Sequence, residues 1–426
     1  MISPAPGTTP NSFRPWMICG LLLLATVLNY MDRNALSQNG VRIKTYYGID
    51  NAAYGHIEGG YNWGFAAGAI IIGMLVDRGN VRWIYAIIVV AWSIAGILTS
   101  YAPTLTYIIL CRVMLGFFES GNWSCGVVTT KRILPPAKRS MGNSLLHSGT
   151  AVGAILTPLV ILLTLEAVVS LGYPSNSPLV WKMPFRVVGI LGILWAILWL
   201  AIVRDRDVRA DSNLINEKKS SYWSIFSNKK FWVCVVVVVS INITWRSYGF
   251  WLPVFLQQEK GYSERTMNLL SSTYYLFADM GSLTVGWLTM RLIGRGFSFK
   301  SARTIVMVGC VGLTLLTLIA AILPKSAILI VVVLAVGFGA MGLFPTYFTL
   351  SQEVSAHHQG KVTGTLSAIN AAALAVIVPL QGKLAVETKS FFFSLGMVGI
   401  APIFAVLAFL VFWKDSETGK TFPTKH

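Results

Sequence analysis

The stretch Tyr107–Thr130, YIILCRVMLGFFESGNWSCGVVTT, is long enough to cross a bilayer and mostly apolar, yet it carries Arg112 and Glu119. Seven residues apart on a helix means two turns, roughly 10 Å along nearly one face. A charge facing lipid near the helix centre costs about 2.5 kcal/mol or more, so both side chains are expected to face a protein interior or a wet cavity. A second charged group, Asn29-Tyr30-Met31-Asp32-Arg33, interrupts the first apolar run of the chain. Asp32, Arg33, Arg112 and Glu119 could serve a shared polar chamber, or could neutralise one another structurally.

Composition sets the class. Of the 426 residues, 54% are hydrophobic and 12% charged, and the apolar residues lie in long blocks. That is roughly half the charge of a soluble domain. Spans of about 20 apolar residues suit a bilayer rather than a soluble core. The five cysteines sit singly inside apolar blocks, without the spacing of a metal site or a disulfide framework. The start of the chain, MISPAPGTTPNSFRP, lacks a small-residue cleavage signature after the first span, so that span reads as retained.

The expected fold is an all-α polytopic membrane protein of twelve transmembrane helices. The first six are Trp16–Leu36, Ile57–Val76, Trp83–Ser100, Leu105–Thr130, Ser140–Leu165 and Pro184–Val203. After a charged stretch come Phe231–Phe255, Met267–Ile293, Thr304–Leu323, Ala327–Leu350, Val362–Val386 and Phe391–Trp413. This divides the chain into a flexible N-terminus (1–15), a six-helix bundle (16–203), a linker (204–230), a second bundle (231–413) and a tail (414–426). Some amphipathic helix is expected in the linker near Tyr222–Phe226. With both termini cytoplasmic, 22 of the 34 Lys and Arg residues fall on the inner side, nine on the outer, and Arg33, Arg112 and Arg246 within spans. That bias supports an even number of spans. It also makes the net charge of +17 a matter of topology and lipid contact, with no aromatic-basic pattern for nucleic acid.

The two halves echo each other. Gly73-Met-Leu-Val-Asp77-Arg78 has its counterpart in Gly286-Trp-Leu-Thr-Met290-Arg291, and Met141-Gly142 in Thr363-Gly364. Weak internal symmetry of this kind suits an alternating-access transporter of two pseudo-symmetric bundles. Glu119, Asp32 and Arg112 are the candidates for proton coupling. A buried carboxyl can exchange a proton, and a nearby arginine opposes its protonation. Arg33 and Arg246 offer planar forks that suit a carboxylate. Asp32 could pair with Arg112, leaving Arg33 to the cavity. Tyr30, His147, Tyr274, Tyr275 and Asn370 are further solute-binding candidates, with Asp279 sharing the Tyr275 face. His147 could equally donate a structural hydrogen bond. Asp77, Arg78, Arg291 and Glu353 read as gating contacts. No nucleophile, base or metal-ligand arrangement suggests an enzyme, and no cofactor is expected beyond a co-transported ion.

NYMDR at Asn29–Arg33, GMLVDR at Gly73–Arg78, CRVMLGFFESGNW at Cys111–Trp123 and PPAKRSMGNSLLHSGTAVGAILTPLV at Pro135–Val160 resemble the anion:cation symporter branch of the major facilitator superfamily. The resemblance is to bacterial hexuronate and galactonate transporters and, more distantly, to sialin and vesicular glutamate transporters. It implies that coupling and carboxylate binding fall on Asp32, Arg33, Arg112 and Glu119. Arg246 stands in WRSYGFWLP, a run similar to the vesicular carriers, where a helix-seven arginine engages the anion. The sequence departs from the branch at Met290, where Asp is usual, at His147, where Asn is common, and in SQEVSAHHQGKVTGTLSAIN. The implied function is proton-driven import of an acidic monosaccharide, a hexuronate before an aldonate, by a functional monomer in a bacterial inner membrane. Sialic acid or another carboxylate, sodium coupling, uncoupled facilitation and a non-transporting sensor are the alternatives.

Overall fold

The computed structural model describes residues 13–208, 225–354 and 359–413, and no strand occurs among them. The first half contributes α1 (Arg14–Gln38), α2 (Gly40–Tyr47), α3 (Asn51–Arg78) and α4 (Val81–Thr99). It continues through α5 (Leu105–Glu119), α6 (Gly121–Ile133), α7 (Pro136–Ser170) and α8 (Leu179–Ile202). The second half contributes α9 (Lys229–Val254), α10 (Glu264–Gly294), α11 (Phe299–Thr314) and α12 (Leu316–Ile322). Then follow α13 (Ala327–Gly342), α14 (Phe344–Val354), α15 (Gln359–Glu387) and α16 (Ala401–Phe412). Among the described residues, ten helical stretches are long and apolar enough to cross a membrane. The α5–α6 pair and α10 fall outside that set but lie among them.

Local chemistry explains the boundaries. Asp50 caps α3 by accepting from the Ala53 amide at 2.8 Å, and Thr104, Ser263 and Ser326 cap α5, α10 and α13 in the same manner. Because of the Asp50 cap, α3 starts at Asn51, six residues before the expected Ile57. The expected single helix over Leu105–Thr130 is divided at Ser120, whose hydroxyl donates to the Phe117 carbonyl at 2.7 Å. A Ser-Gly pair is a common place for a helix to bend. The helix expected over Phe391–Trp413 begins instead with a π-turn and a 3-10 turn, reaching α-geometry at Ala401. The amphipathic segment expected at Tyr222–Phe226 lies largely outside the described residues.

Packing is close where glycine removes a side chain. A Cβ on Gly116 of α5 would sit 2.1 Å from the Tyr61 carbonyl of α3, and one on Gly281 of α10 equally close to the Phe338 carbonyl of α13. These are corresponding helix pairs of the two halves, each joined by backbone contact through a small residue. One apolar cluster runs from Ile18 to Val208 entirely within the first half, and another from Ile225 to Trp413 entirely within the second. A third combines both halves.

That shared cluster seals one end of the molecule, the end at which α1 and α9 finish. Tyr54 stacks on Phe250 with centroids 4.8 Å apart and donates to the Leu36 carbonyl at 2.9 Å. Arg42 forks onto Glu264, its Nε 2.6 Å from Oε1, and also reaches the Ser175 carbonyl at 2.7 Å. Lys44 donates to Asn51 and, at 2.5 Å, to Gln258 of the other half. Burial pushes the Lys44 ammonium down to about 7, against the pull of Asp50. At the opposite end Arg14 holds Asp207 through two nitrogens at 2.7 and 3.2 Å. Partial burial pushes the Asp207 carboxyl up, but Arg14 and the Arg204 amide prevail and hold it below its ordinary value.

Candidate functional site

Between the halves lies a cavity of about 370 Å³, within the roughly 300–1,000 Å³ of small-molecule pockets. α1 supplies Tyr30 and Arg33, α3 Glu58, α7 His147, α9 Arg246, α10 Tyr275 and Asp279, and α15 Asn370. Arg33 lies over the Tyr61 ring, its guanidinium carbon 4.6 Å from the centroid, and makes no ion pair among the described residues. Arg246 donates to Glu58 Oε1 at 2.9 Å. His147 lies between Trp123 and Phe348, ring centroids 5.0 and 5.2 Å away, so aromatic rings flank it rather than a hydrogen-bonding helix.

The three coupling candidates do not line this cavity. Asp32, Arg112 and Glu119 are buried behind its first-half wall. Glu119 Oε2 accepts from the Tyr61 hydroxyl at 2.7 Å, and the same ring lies beneath Arg33. Glu119 is thus connected to the cavity through one aromatic side chain. The expected Asp32–Arg112 pair is not formed by side chains: an Arg112 terminal nitrogen reaches the Asp32 backbone carbonyl at 3.5 Å, and the guanidinium lies 5.3 Å from the Phe185 ring. The Asp32 carboxylate faces Gly96 of α4 instead, where a Cβ would come within 2.9 Å of Oδ1. Asp32 points about a quarter-turn away from Arg33 on α1, and α4 fills that sector.

Tyr274 also falls outside the cavity lining. Its ring stacks on Trp245 at 5.9 Å and fills the space against Gly337, so Trp245 and Tyr275 take its place in the cavity wall. Among the gating candidates, Glu353 binds Arg303 of α11 at 2.8 Å, a contact within one half. Arg291 lies over Trp287 of its own helix at 4.9 Å. The side chains of Asp77 and Arg78 lie outside the described ones. Glu58 was missed from sequence, because starting the helix at Ile57 placed it at the water interface; the Asp50 cap puts it two turns inside. The signal was available as a carboxylate in an otherwise apolar run.

The Major Facilitator Superfamily model matches residues 22–379, and the chain belongs to that family. It is an integral, multi-pass membrane protein and a transporter, not an enzyme. It is 23% identical over 412 residues to the hexuronate transporter of Escherichia coli (strain K12), covering 92% of this chain and 90% of that one. Over 291 residues it is 22% identical to the galacturonate transporter of Dickeya chrysanthemi, covering 65% of this chain and 81% of the relative. Its fold matches a bacterial homolog of the human lysosomal transporter Spinster, solved inward-facing and unoccupied, with a TM-score of 0.76 at 18% identity over 96% of this chain and 100% of the other.

Proposed function

We propose that this protein imports an organic anion by proton symport and alternating access, with a hexuronate such as glucuronate or galacturonate as the leading solute. The observation that carries the reading is Arg33, a guanidinium in the cavity wall that makes no ion pair among the described residues. Arginine presents parallel donors that match a carboxylate, and Tyr30, Asn370 and Tyr275 offer hydrogen bonds to sugar hydroxyls. The relatives named for hexuronate and galacturonate transport favour the same class.

Charge balance supports proton coupling. Among the groups linked by the Tyr61–Glu119, Arg246–Glu58 and Arg112–Asp32 contacts, Arg33, Arg112 and Arg246 stand against Asp32, Glu58 and Glu119, while Asp279 lines the cavity apart from them. Three cations and three carboxyls balance when all are ionised. A monoanionic solute upsets that balance by one charge, and one proton on a carboxyl restores it. Glu119, linked to Arg33 through Tyr61, is the proposed acceptor, with Asp32 and Arg112 adjusting behind it. In this reading twelve spans form bundles 16–203 and 231–413, joined by 204–230, with both termini cytoplasmic in a bacterial inner membrane. The end sealed by Arg42–Glu264 then faces outward, and the protein works as a monomer.

Uptake into proteoliposomes under separate pH and sodium gradients tests the proposal. Galacturonate accumulation is expected to follow the proton gradient and to be lost in Glu119→Gln, with counterflow retained. Accumulation driven only by sodium, or equal uptake without either gradient, overturns the coupling. A panel adding galactonate, sialic acid, aspartate and glutamate decides the solute.

A further inference from the structure

One ion pair in the cavity wall crosses between the halves. Arg246 of α9 donates to Glu58 of α3, and Asn62, one turn further along α3, donates to the Glu58 carbonyl at 2.9 Å. The Glu58 side chain is 5% exposed and that of Arg246 15%, although both border the cavity. Helix packing fixes the carboxylate in place. Gly59, beside Glu58, lies so close to α15 that a Cβ there would be 2.8 Å from the Pro379 ring, and Gly55 meets the same proline at its backbone. The α3 backbone therefore cannot carry Glu58 away from Arg246 without parting α3 from α15. Meanwhile Arg33 makes no ion pair among the described residues.

Glu58 takes one terminal nitrogen of the Arg246 guanidinium and neutralises the charge that would attract a solute carboxylate. A second negative charge brought to this neutralised pair meets the Glu58 carboxylate, and like-charge repulsion of this kind is a common means of refusing a wrong partner. We infer that Glu58 sets the permitted charge of the solute: it serves as a built-in second carboxylate on Arg246, so that Arg33 alone is left for a monocarboxylate and dicarboxylates are refused. The inference rests on the organic-anion reading above and adds a specificity-determining residue to it. Arg246 becomes the guanidinium that Glu58 withholds, rather than a second arm around the bound acid.

Two acids with the same six-carbon skeleton test it, galacturonate with one carboxylate and galactarate with two. Affinities are measured by calorimetry on the purified full-length protein. Wild type is expected to prefer galacturonate. Glu58→Gln frees Arg246 and is expected to shift the preference toward galactarate by about tenfold, whereas Glu58→Asp keeps the wild-type order. Glu58→Ala, which removes the same charge, is expected to shift it in the same direction and serves if Glu58→Gln does not fold. Galacturonate binding with a preference unchanged to within about twofold in the charge-removing variants overturns this inference alone, as does wild type binding galactarate equally well. Binding of neither acid by wild type overturns the hexuronate reading on which the inference rests.

Discussion

The two halves share a helix order but differ in what they bury. Among the described residues, every fully buried charged side chain belongs to the first half: Asp32, Lys44, Glu58, Arg112 and Glu119. The second-half core is built instead from residues such as Val237, Val311, Leu366 and Phe409, and its ionisable groups at the cavity are Arg246 and Asp279. A buried charge is costly unless compensated, so their concentration is where the proposed coupling places its change of charge. The second half meets the first mainly through partly buried polar groups, Arg246 at the cavity and Glu264 and Gln258 at the sealed end. Two helical bundles can differ in this way because packing needs only small residues and apolar area, and both halves supply those.

The largest expected effect tests that division. Arg112→Ala removes a buried cation whose charge acts on Asp32 and Glu119 without a direct side-chain pair, and is expected to cost about 2–3 kcal/mol, below the loss from breaking a direct buried pair, read as a lowered unfolding temperature in detergent. Adding Asp32→Asn should recover a large part of that loss; no recovery breaks the picture of mutual compensation. Next in size, Arg33→Lys exchanges a fork for a point charge and is expected to weaken galacturonate binding by about tenfold or more. Tyr275→Phe on the second-half wall should weaken it by less than about fivefold, one neutral hydrogen bond. An equal loss in both variants would dissolve the contrast between the halves.

Smaller effects belong to the sealed end, where the halves meet as equals. Arg42→Ala removes a partly buried bidentate pair worth about 1 kcal/mol, and should shift the population toward opening by about fivefold. Spin labels on the exposed Thr45 and Arg265 would report this as a growing long-distance fraction. The same distance should depend on pH through Lys44. Opening the seal returns this ammonium to water and its ordinary 10.5, while in the sealed state it titrates at about 7. Between those values the open state binds more protons, so sealing strengthens as pH rises above about 7 and is weakest below it. Lys44→Met should flatten the profile; an unchanged slope would assign it to other groups.

Much of the site was legible because lipid makes charges conspicuous. Arg33, Arg246, His147, Tyr30, Tyr275 and Asn370 could be selected as polar interruptions of apolar runs, and all of them line the cavity. Tyr274 could not be told from Tyr275, since adjacent residues on a helix differ by about 100° and the sequence does not state which faces the solute. The Asp32–Arg112 pair failed for a related reason: helical periodicity gives a direction around α1 but not the neighbour occupying it, which is α4 at Gly96.

The sequence by itself determined a helical chain in the membrane, its echoing halves and the basic asymmetry of its loops, because hydrophobic length and charge placement are properties read along the chain. Only the tertiary structure decided that Glu58 meets Arg246, that Tyr61 connects Glu119 to Arg33, and that Arg303 rather than a gating loop holds Glu353. Those contacts join residues up to 188 positions apart. Their formation depends on how closely glycine lets one backbone approach another, a quantity that no periodicity records.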